Sequence, residues 1–110
     1  MSAETVSKSF SELIKGDTPV LVDFYADWCM PCKMMTPILQ EVKSRMGDAL
    51  QIIKIDAEKN PAASIQYQVR GIPTLILFKN GHILWQQAGV VQASQLEAII
   101  KQKVADYELV

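Results

Sequence analysis

The sequence predicts one α/β domain: a central mixed β-sheet flanked by helices on both faces, with a β-hairpin and a helix at the C-terminal end. Strand patterns alternate with helix patterns along most of the chain, which is typical of α/β folds. The run from Val20 to Tyr25 is apolar without alternation, as expected of a parallel strand covered on both faces. The Asn80-Gly81 turn between two strand-like runs predicts the hairpin.

The first predicted helix extends from Ser9 to Ile14 and ends before the turn residues Gly16 and Asp17. Its inward face has three apolar residues at helical spacing, namely Phe10, Leu13 and Ile14. Pro19 then introduces the strand from Val20 to Tyr25. The chain is therefore expected to enter the sheet directly after a short helix.

A second helix is expected to open at Cys29 and to continue to Met46, where Gly47 ends it. Five apolar residues at helical spacing form its buried stripe: Met35, Ile38, Leu39, Val42 and Met46. Met34 is interpreted as core or near-core packing as well. Pro37 lies inside this helix and should bend it, because proline removes a backbone hydrogen bond.

The remaining elements continue the alternation. Leu50 to Ile55 predicts a second buried strand, and Pro61 to Gln68 predicts a short helix. The two hairpin strands are expected at Thr74 to Phe78 and Ile83 to Gln87. Ser94 opens a last helix, whose inward residues are Leu96, Ile99, Ile100 and Val104. The tail from Ala105 to Val110 should fray. No linker or repeat interrupts residues 1–110, which we expect to form a single domain.

Composition and charge exclude several classes of function. The chain has 110 residues, of which 49% are hydrophobic and 21% charged, as in an ordinary soluble globular protein. Its net charge of -1 provides no basic surface for nucleic acid or for an anionic membrane. The first residues lack the basic and apolar segments of a signal peptide, and no run reaches transmembrane length. We therefore expect a cytoplasmic protein without nucleic-acid or membrane partners.

The only two cysteines, Cys29 and Cys32, are three positions apart at the predicted start of the second helix. A sulfur at a helix start lies beside unpaired backbone N–H groups, which favour its thiolate. A disulfide closing so short a loop constrains the unfolded chain little, so a purely structural role is disfavoured. Two cysteines supply only half of a four-thiolate zinc site, and the single histidine, His82, has no partner in sequence. The spacing therefore favours redox chemistry over metal binding.

Two charged residues interrupt otherwise apolar strands. Asp23 lies within the Val20 to Tyr25 run, where burial would raise the pKa of its carboxyl group toward the range of a useful base. Lys54 lies between Ile53 and Ile55. Asp23 is therefore a candidate proton acceptor; the alternative is a hydrogen-bonded core residue. For Lys54 the alternative is an edge-strand lysine that extends its ammonium into solvent.

Five motifs together resemble the thioredoxin family over nearly the whole chain. In order they are Val22-Asp23-Phe24-Tyr25-Ala26-Asp27-Trp28-Cys29-Met30-Pro31-Cys32-Lys33, Pro37-Ile38-Leu39, Gly71-Ile72-Pro73-Thr74, Phe78-Lys79-Asn80-Gly81 and Gly89. The resemblance implies the thioredoxin fold and a Trp-Cys-Met-Pro-Cys active site. One departure is Met30, where the commonest thioredoxin has glycine, and this leaves the reduction potential open.

The resemblance also implies a mechanism of dithiol–disulfide exchange. Cys29, expected to be the more exposed sulfur, attacks a client disulfide, and Cys32 resolves the mixed disulfide. Asp23 assists proton transfer, and Lys54 forms a partly buried pair with it. A cis Ile72–Pro73 peptide bond is expected beside Cys29. The substrate-binding residues implied by the family are Trp28, Met30, Pro31, Ala57, Gly71, Ile72, Pro73, Gly89 and Val90.

By the same resemblance, the protein is expected to be a monomeric protein disulfide reductase, a general cellular electron donor that maintains redox homeostasis. No cofactor is expected to be bound. An NADPH-dependent flavin enzyme, thioredoxin reductase, is expected to reduce the disulfide again after each cycle. Expected clients are ribonucleotide reductase, peroxiredoxin and methionine sulfoxide reductase.

Two other classes of function stay open at this point. The first is an oxidase or isomerase of the same fold, which the Met30-Pro31 pair and the expected lack of a signal peptide disfavour. The second is a non-enzymatic role, either in metal binding or as a structural subunit of a larger complex.

Overall fold

Four strands form one mixed sheet in the computed structural model, which describes residues 10–109. The strands are β1 (Val20–Tyr25), β2 (Gln51–Asp56), β3 (Thr74–Lys79) and β4 (His82–Ala88). Their order is β2-β1-β3-β4, with β1 parallel to β2 and with β3 antiparallel to both β1 and β4. The predicted mixed sheet with its closing hairpin is confirmed. β1 lies inside the sheet with buried faces on both sides, which explains its continuous apolar run.

The helices are α1 (Met30–Met46), α2 (Pro61–Gln66) and α3 (Ala93–Glu108). Residues 10–14 are also helical, and a short 3₁₀ turn spans Gly47–Ala49. Ser9, where the sequence predicts the start of this helix, lies outside the described residues. α2 ends two residues earlier than expected, before Gln68, which has a positive φ of 55°. No helix within residues 10–109 is both long and apolar enough to cross a membrane.

The predicted fraying of the C-terminal tail is wrong for residues 105–108, because α3 continues to Glu108. Two side-chain contacts hold this end of the helix against the hairpin. Lys79 Nζ lies 3.2 Å from a carboxylate oxygen of Glu108, and Asn80 Nδ2 donates to the hydroxyl of Tyr107 over 3.3 Å. These contacts extend the helix beyond its apolar stripe. Val110 lies outside the described residues.

Helices cover both faces of the sheet, as predicted. On one face α1 and α3 pack against the strands through a core that includes Leu21, Met35, Leu39, Val42, Leu75, Leu77, Leu96 and Ile100. On the other face residues 10–14 and α2 cover a second core, which includes Ile14, Val20, Val22, Phe24, Ile55, Ile76 and Phe78. Two predicted core residues, Leu13 and Met34, are instead exposed, because they point away from these contacts.

Candidate active site

A disulfide joins Cys29 and Cys32 at the N-terminal end of α1. β1 ends at Tyr25, and the chain turns there, with the Cys29 N–H donating to the carbonyl of Ala26 over 3.1 Å. Cys29 is the N-cap of α1, and Pro31 occupies the first turn, where no backbone donor is needed. The strand-to-helix turn therefore fixes both sulfurs at the start of α1.

The helix start favours negative charge on the sulfur of Cys29. The backbone N–H of Cys32 donates to Cys29 Sγ over 3.2 Å. The first turn of α1 contains no acidic residue that would oppose a thiolate. After reduction, the same N–H and the positive end of the helix would stabilise the Cys29 thiolate, which is the reactive form in disulfide exchange.

Overall burial does not distinguish the two cysteines in the disulfide form, since both residues are only 3% exposed. Cys29 differs from Cys32 in its neighbours. Its sulfur lies 3.8 Å from the carbonyl oxygen of Ile72, a contact rather than a hydrogen bond because a disulfide sulfur carries no hydrogen. Trp28 and Met30, the residues on either side of Cys29, are 65% and 67% exposed. The approach to Cys29 is therefore bordered by two large apolar side chains.

The Ile72–Pro73 peptide bond is cis, as the resemblance implies. The carbonyl of Pro73 accepts a hydrogen bond from the N–H of Gly89 over 2.8 Å, and the Thr74 hydroxyl donates to the carbonyl of Gly71. The first bond connects the segment that contacts Cys29 to the end of β4, and the second closes the turn within that segment. Ile72 packs against the cluster of Ala26 and the two cysteines.

The structure brings several of the expected substrate-binding residues together. A shallow depression beside the disulfide is lined by Trp28, Ala57, Gly71 and Ile72. Pro73 and Gly89 are joined to this region by their hydrogen bond, and Val90 follows Gly89. Met30 and Pro31 are exposed on the other side of Cys29, in the first turn of α1.

Four further residues line the same depression and were missed in the sequence: Glu58, Ser64, Val69 and Arg70. Glu58 and Arg70 adjoin expected groove residues in sequence, which could have indicated them. Ser64 and Val69 have no such signal in the sequence. Ser64 reaches the depression because it lies on α2, and Val69 reaches it because of the turn that follows α2. A backbone hydrogen bond of 2.8 Å from Val69 to Ser64 closes that turn.

Asp23 is fully buried, and neither of its carboxylate oxygens accepts a hydrogen bond from any residue in the described range. It lies two residues after Leu21 on β1, so it faces the α1 side of the sheet. Burial raises the pKa of Asp23 to about 6, while the nearby charge of Lys54 acts in the opposite direction. The alternative of a hydrogen-bonded core residue is therefore not observed.

Lys54 is exposed, so the expectation of a partly buried Asp23–Lys54 pair is wrong for the lysine. The two residues are direct neighbours in the β1–β2 register. Lys54, however, lies on the outermost strand of the described sheet, and its Nζ sits 4.8 Å from the centroid of the Tyr25 ring. The long lysine stem allows the ammonium to stay in solvent, as in the alternative interpretation of the sequence.

A small cleft of about 140 Å³ borders Cys32 on the side of Lys54. Its lining residues are Tyr25, Ala26, Asp27, Cys32, Lys33, Thr36 and Lys54. Cys32 is therefore buried against the core but adjoins a polar cleft. Within residues 10–109, no group of three or more His, Cys, Asp or Glu side chains is arranged to hold a metal ion.

Comparison with known proteins agrees with this geometry. The family model described as Thioredoxin matches residues 1–102. A thioredoxin-like protein of Synechocystis is 47% identical over 97 residues, covering 87% of this chain and 92% of that protein. Thioredoxin Y, chloroplastic, of Oryza sativa is 51% identical over 89 residues, which are 80% of this chain and 53% of that protein. The oxidised form of mitochondrial thioredoxin 3 from Saccharomyces cerevisiae superposes with a TM-score of 0.78 at 33% identity, covering 87% of this chain and 89% of that one.

Replacing Asp23 by asparagine should remove a pH dependence of stability. The native carboxyl has a pKa of about 6 against 3.8 for the free group, so the folded state binds its proton more tightly. Its contribution to stability is therefore greatest at acid pH and is lost as pH rises from about 4 to about 6. Between about pH 4.5 and about pH 7.5, the free energy of unfolding of the wild type should fall by about 2 kcal/mol relative to Asp23→Asn. Urea unfolding of the disulfide forms measures this difference, and a pH-independent difference would contradict it.

Proposed function

Because the chain belongs to the thioredoxin family and is a thiol–disulfide oxidoreductase, we propose that it works as a protein disulfide reductase. The observation that carries this proposal is the disulfide at the start of α1, whose Cys29 sulfur lies between exposed apolar side chains and the Ile72 carbonyl. This arrangement supports attack by Cys29 on the disulfide of a bound client segment.

The reduced protein would donate two electrons in two exchange steps. The Cys29 thiolate attacks one sulfur of the client disulfide, which forms a mixed disulfide and expels the first client thiolate. Cys32 then loses its proton and attacks Cys29 Sγ, which expels the second client thiolate and forms the Cys29–Cys32 disulfide. The client gains the two electrons that the pair of cysteines loses. The client disulfide is the oxidant, and these steps need no other.

Asp23 is the proposed acceptor of the Cys32 proton. With a pKa of about 6, its carboxyl is mostly ionised at neutral pH and has unused acceptor oxygens. It lies on the face of β1 against which α1 packs, the helix that carries Cys32 in its first turn. Lys54 contributes a nearby positive charge from outside the core.

The proposed client site is the groove around Cys29. An extended client segment would lie along the Ile72 backbone, in the manner of strand addition, with its side chains against Trp28 and Met30. The exposed side chains on either side of Cys29 in sequence, Trp28 and Met30, are apolar, which supports a range of clients with apolar residues beside their disulfide. Ribonucleotide reductase, peroxiredoxin and methionine sulfoxide reductase fit this class.

Electrons for a further cycle would come from another protein, since two thiols carry only one pair of electrons. We propose an NADPH-dependent flavin enzyme, thioredoxin reductase, as that donor, and a monomeric protein that serves as a general electron donor. The cytoplasm is the proposed location, because it keeps thiols reduced and so permits a dithiol donor to act.

The reduction potential of the Cys29/Cys32 couple tests the direction of electron flow. Equilibration in a dithiothreitol redox buffer, followed by thiol trapping, should give a value near about -270 mV. A potential between about -180 and -120 mV would contradict the reductase proposal. That result would favour an oxidase or isomerase and would assign the difference to the active-site sequence containing Met30.

Asp23→Asn should slow the resolving step at neutral pH. Single-turnover acid quench with thiol trapping follows decay of the mixed disulfide between Cys29 and a client peptide. Loss of a positioned general base is expected to lower its rate constant by roughly 10²-fold. The wild-type rate should also rise with pH through about 6, and this rise should be absent in the variant. Asp27→Asn is the matched control, because Asp27 is an exposed carboxylate on the cleft beside Cys32. Equal rates in all three proteins would exclude Asp23 as the base.

Met30→Gln should weaken reduction of clients with apolar residues beside their disulfide. The substitution keeps the length of the side chain but removes apolar area next to Cys29, so kcat/KM should fall roughly 5-fold for a disulfide peptide with a flanking leucine. For a peptide with serine in place of that leucine, kcat/KM should change little. Met34→Gln provides the control, because Met34 is also exposed on α1 but one turn further from the disulfide. A similar loss for both variants or both peptides would contradict a contact between Met30 and the client.

A further inference from the structure

The ammonium of Lys54 lies over the ring of Tyr25, with Nζ 4.8 Å from the ring centroid. This distance is within the range of a cation–π interaction. The ammonium of Lys54 forms no hydrogen bond and no ion pair with any residue between 10 and 109. The ring of Tyr25 is therefore the contact that fixes the position of this charge.

The strand register explains why Tyr25 can reach Lys54. Tyr25 follows Asp23 by two positions on β1, so both side chains lie on the same face of the sheet. Lys54 is the direct neighbour of Asp23 on the adjacent parallel strand. The ring of Tyr25 and the stem of Lys54 consequently meet beside Asp23, over the cleft that borders Cys32.

We propose that Tyr25 is a positioning residue, whose ring holds the Lys54 ammonium beside the Cys32 cleft so that its charge acts on Asp23 from outside the core. Without the ring, an exposed lysine on an outer strand samples many rotamers, and most of them carry the charge further into water. An exposed cation–π contact favours the stacked rotamers by about two- to five-fold. The time-averaged field at Asp23 depends on that preference.

Few other charges face Asp23. The titratable or charged groups that line the cleft are Lys54 of β2, Cys32 and Lys33 of α1, Asp27 of the preceding loop and the Tyr25 hydroxyl. Asp56 lies two positions after Lys54 on the same face of β2, beside Tyr25 in the register, and its carboxylate accepts hydrogen bonds from the backbone N–H groups of Glu58 and Lys59. The residue that β3 pairs with Asp23 is Leu75, which carries no charge. In the disulfide form the cysteines do not titrate. The oxidised protein is therefore a simple background in which to observe Asp23.

The test is the titration of the Asp23 carboxyl carbon, followed by NMR in the disulfide form. Tyr25→Leu keeps an apolar side chain against Cys29 and Cys32 but removes the ring face. It should raise the pKa of Asp23 by about 0.5 pH unit, because the Lys54 charge moves into solvent. Tyr25→Phe retains the ring face and should leave the titration unchanged.

A double-mutant cycle separates this effect from altered solvation of Asp23. Lys54→Met removes the charge and keeps the stem, so it should raise the pKa of Asp23 at least as much as Tyr25→Leu does. The Tyr25→Leu substitution should then have no further effect in the Lys54→Met background. If Tyr25→Leu shifted the pKa of Asp23 equally in the wild-type and Lys54→Met backgrounds, the proposal would be overturned. The absence of any rise in the wild-type background would also overturn it.

One measurement needs no variant. In the wild type, nuclear Overhauser contacts should connect the Lys54 ε-methylene protons to the Tyr25 ring protons, and ring currents should shift those methylene protons upfield. Their absence would overturn the positioning role even if the variants failed to fold.

The inference rests on the proposed role of Asp23 only for its effect on catalysis. If Tyr25→Leu shifts the Asp23 titration but Asp23→Asn leaves the resolving step unchanged, the positioning role stands and the proposed proton acceptor is wrong. If Asp23→Asn slows resolution and Tyr25→Leu does not move the titration, the positioning role is wrong and the proton acceptor stands.

Discussion

The packing of α1 against the sheet determines most of the active site. Buried side chains such as Met35, Leu39 and Val42 fix this helix over β1, and its N-terminus is therefore fixed at the end of that strand. The two sulfurs lie at that N-terminus. The same packing covers Asp23 and excludes solvent from its carboxyl group. One apolar interface thus places the nucleophile in a field that favours its thiolate and creates the carboxyl group with a raised pKa.

The energies involved show why the fold tolerates this carboxylate. Full burial of an apolar side chain of this size contributes roughly 1.5–3 kcal/mol. The ionised Asp23 costs about 3 kcal/mol at neutral pH, from the difference between a pKa of about 6 and one of 3.8. One or two well-packed residues of α1 therefore offset the cost, and the core provides many more. The unpaired carboxylate of Asp23 lowers the stability of the fold locally, within an interface whose packing outweighs that cost.

Long, strongly patterned elements could be predicted from the sequence, and contacts between elements could not. The continuous apolar run of β1, the Asn80-Gly81 hairpin and the stripe of α1 each depend on residues within the element, and all three are observed. The end of α3 depends on contacts with Lys79 and Asn80, which are far away in sequence, so its extension to Glu108 was not predicted. The exposure of Lys54 depends on which strand lies outermost, and the pattern of one strand does not contain that information. Of the site, the cysteine pair and the buried Asp23 could be read from residues alone, whereas the groove residues came only through family resemblance.

The exposed position of Lys54 is consistent with a base that has to exchange its proton. A buried ammonium hydrogen-bonded to Asp23 would favour the carboxylate strongly and would hold its pKa far below neutral. Such a carboxylate would be a poor acceptor for the proton of a thiol. With no cation nearby, desolvation alone would raise the pKa further and leave less of the base ionised at neutral pH. A cation held in solvent over Tyr25 acts between these limits, because water screens its charge without abolishing it. A lysine on the outer strand therefore supplies a moderate electrostatic field at Asp23. A buried ion pair would supply a field too strong for Asp23 to accept a proton.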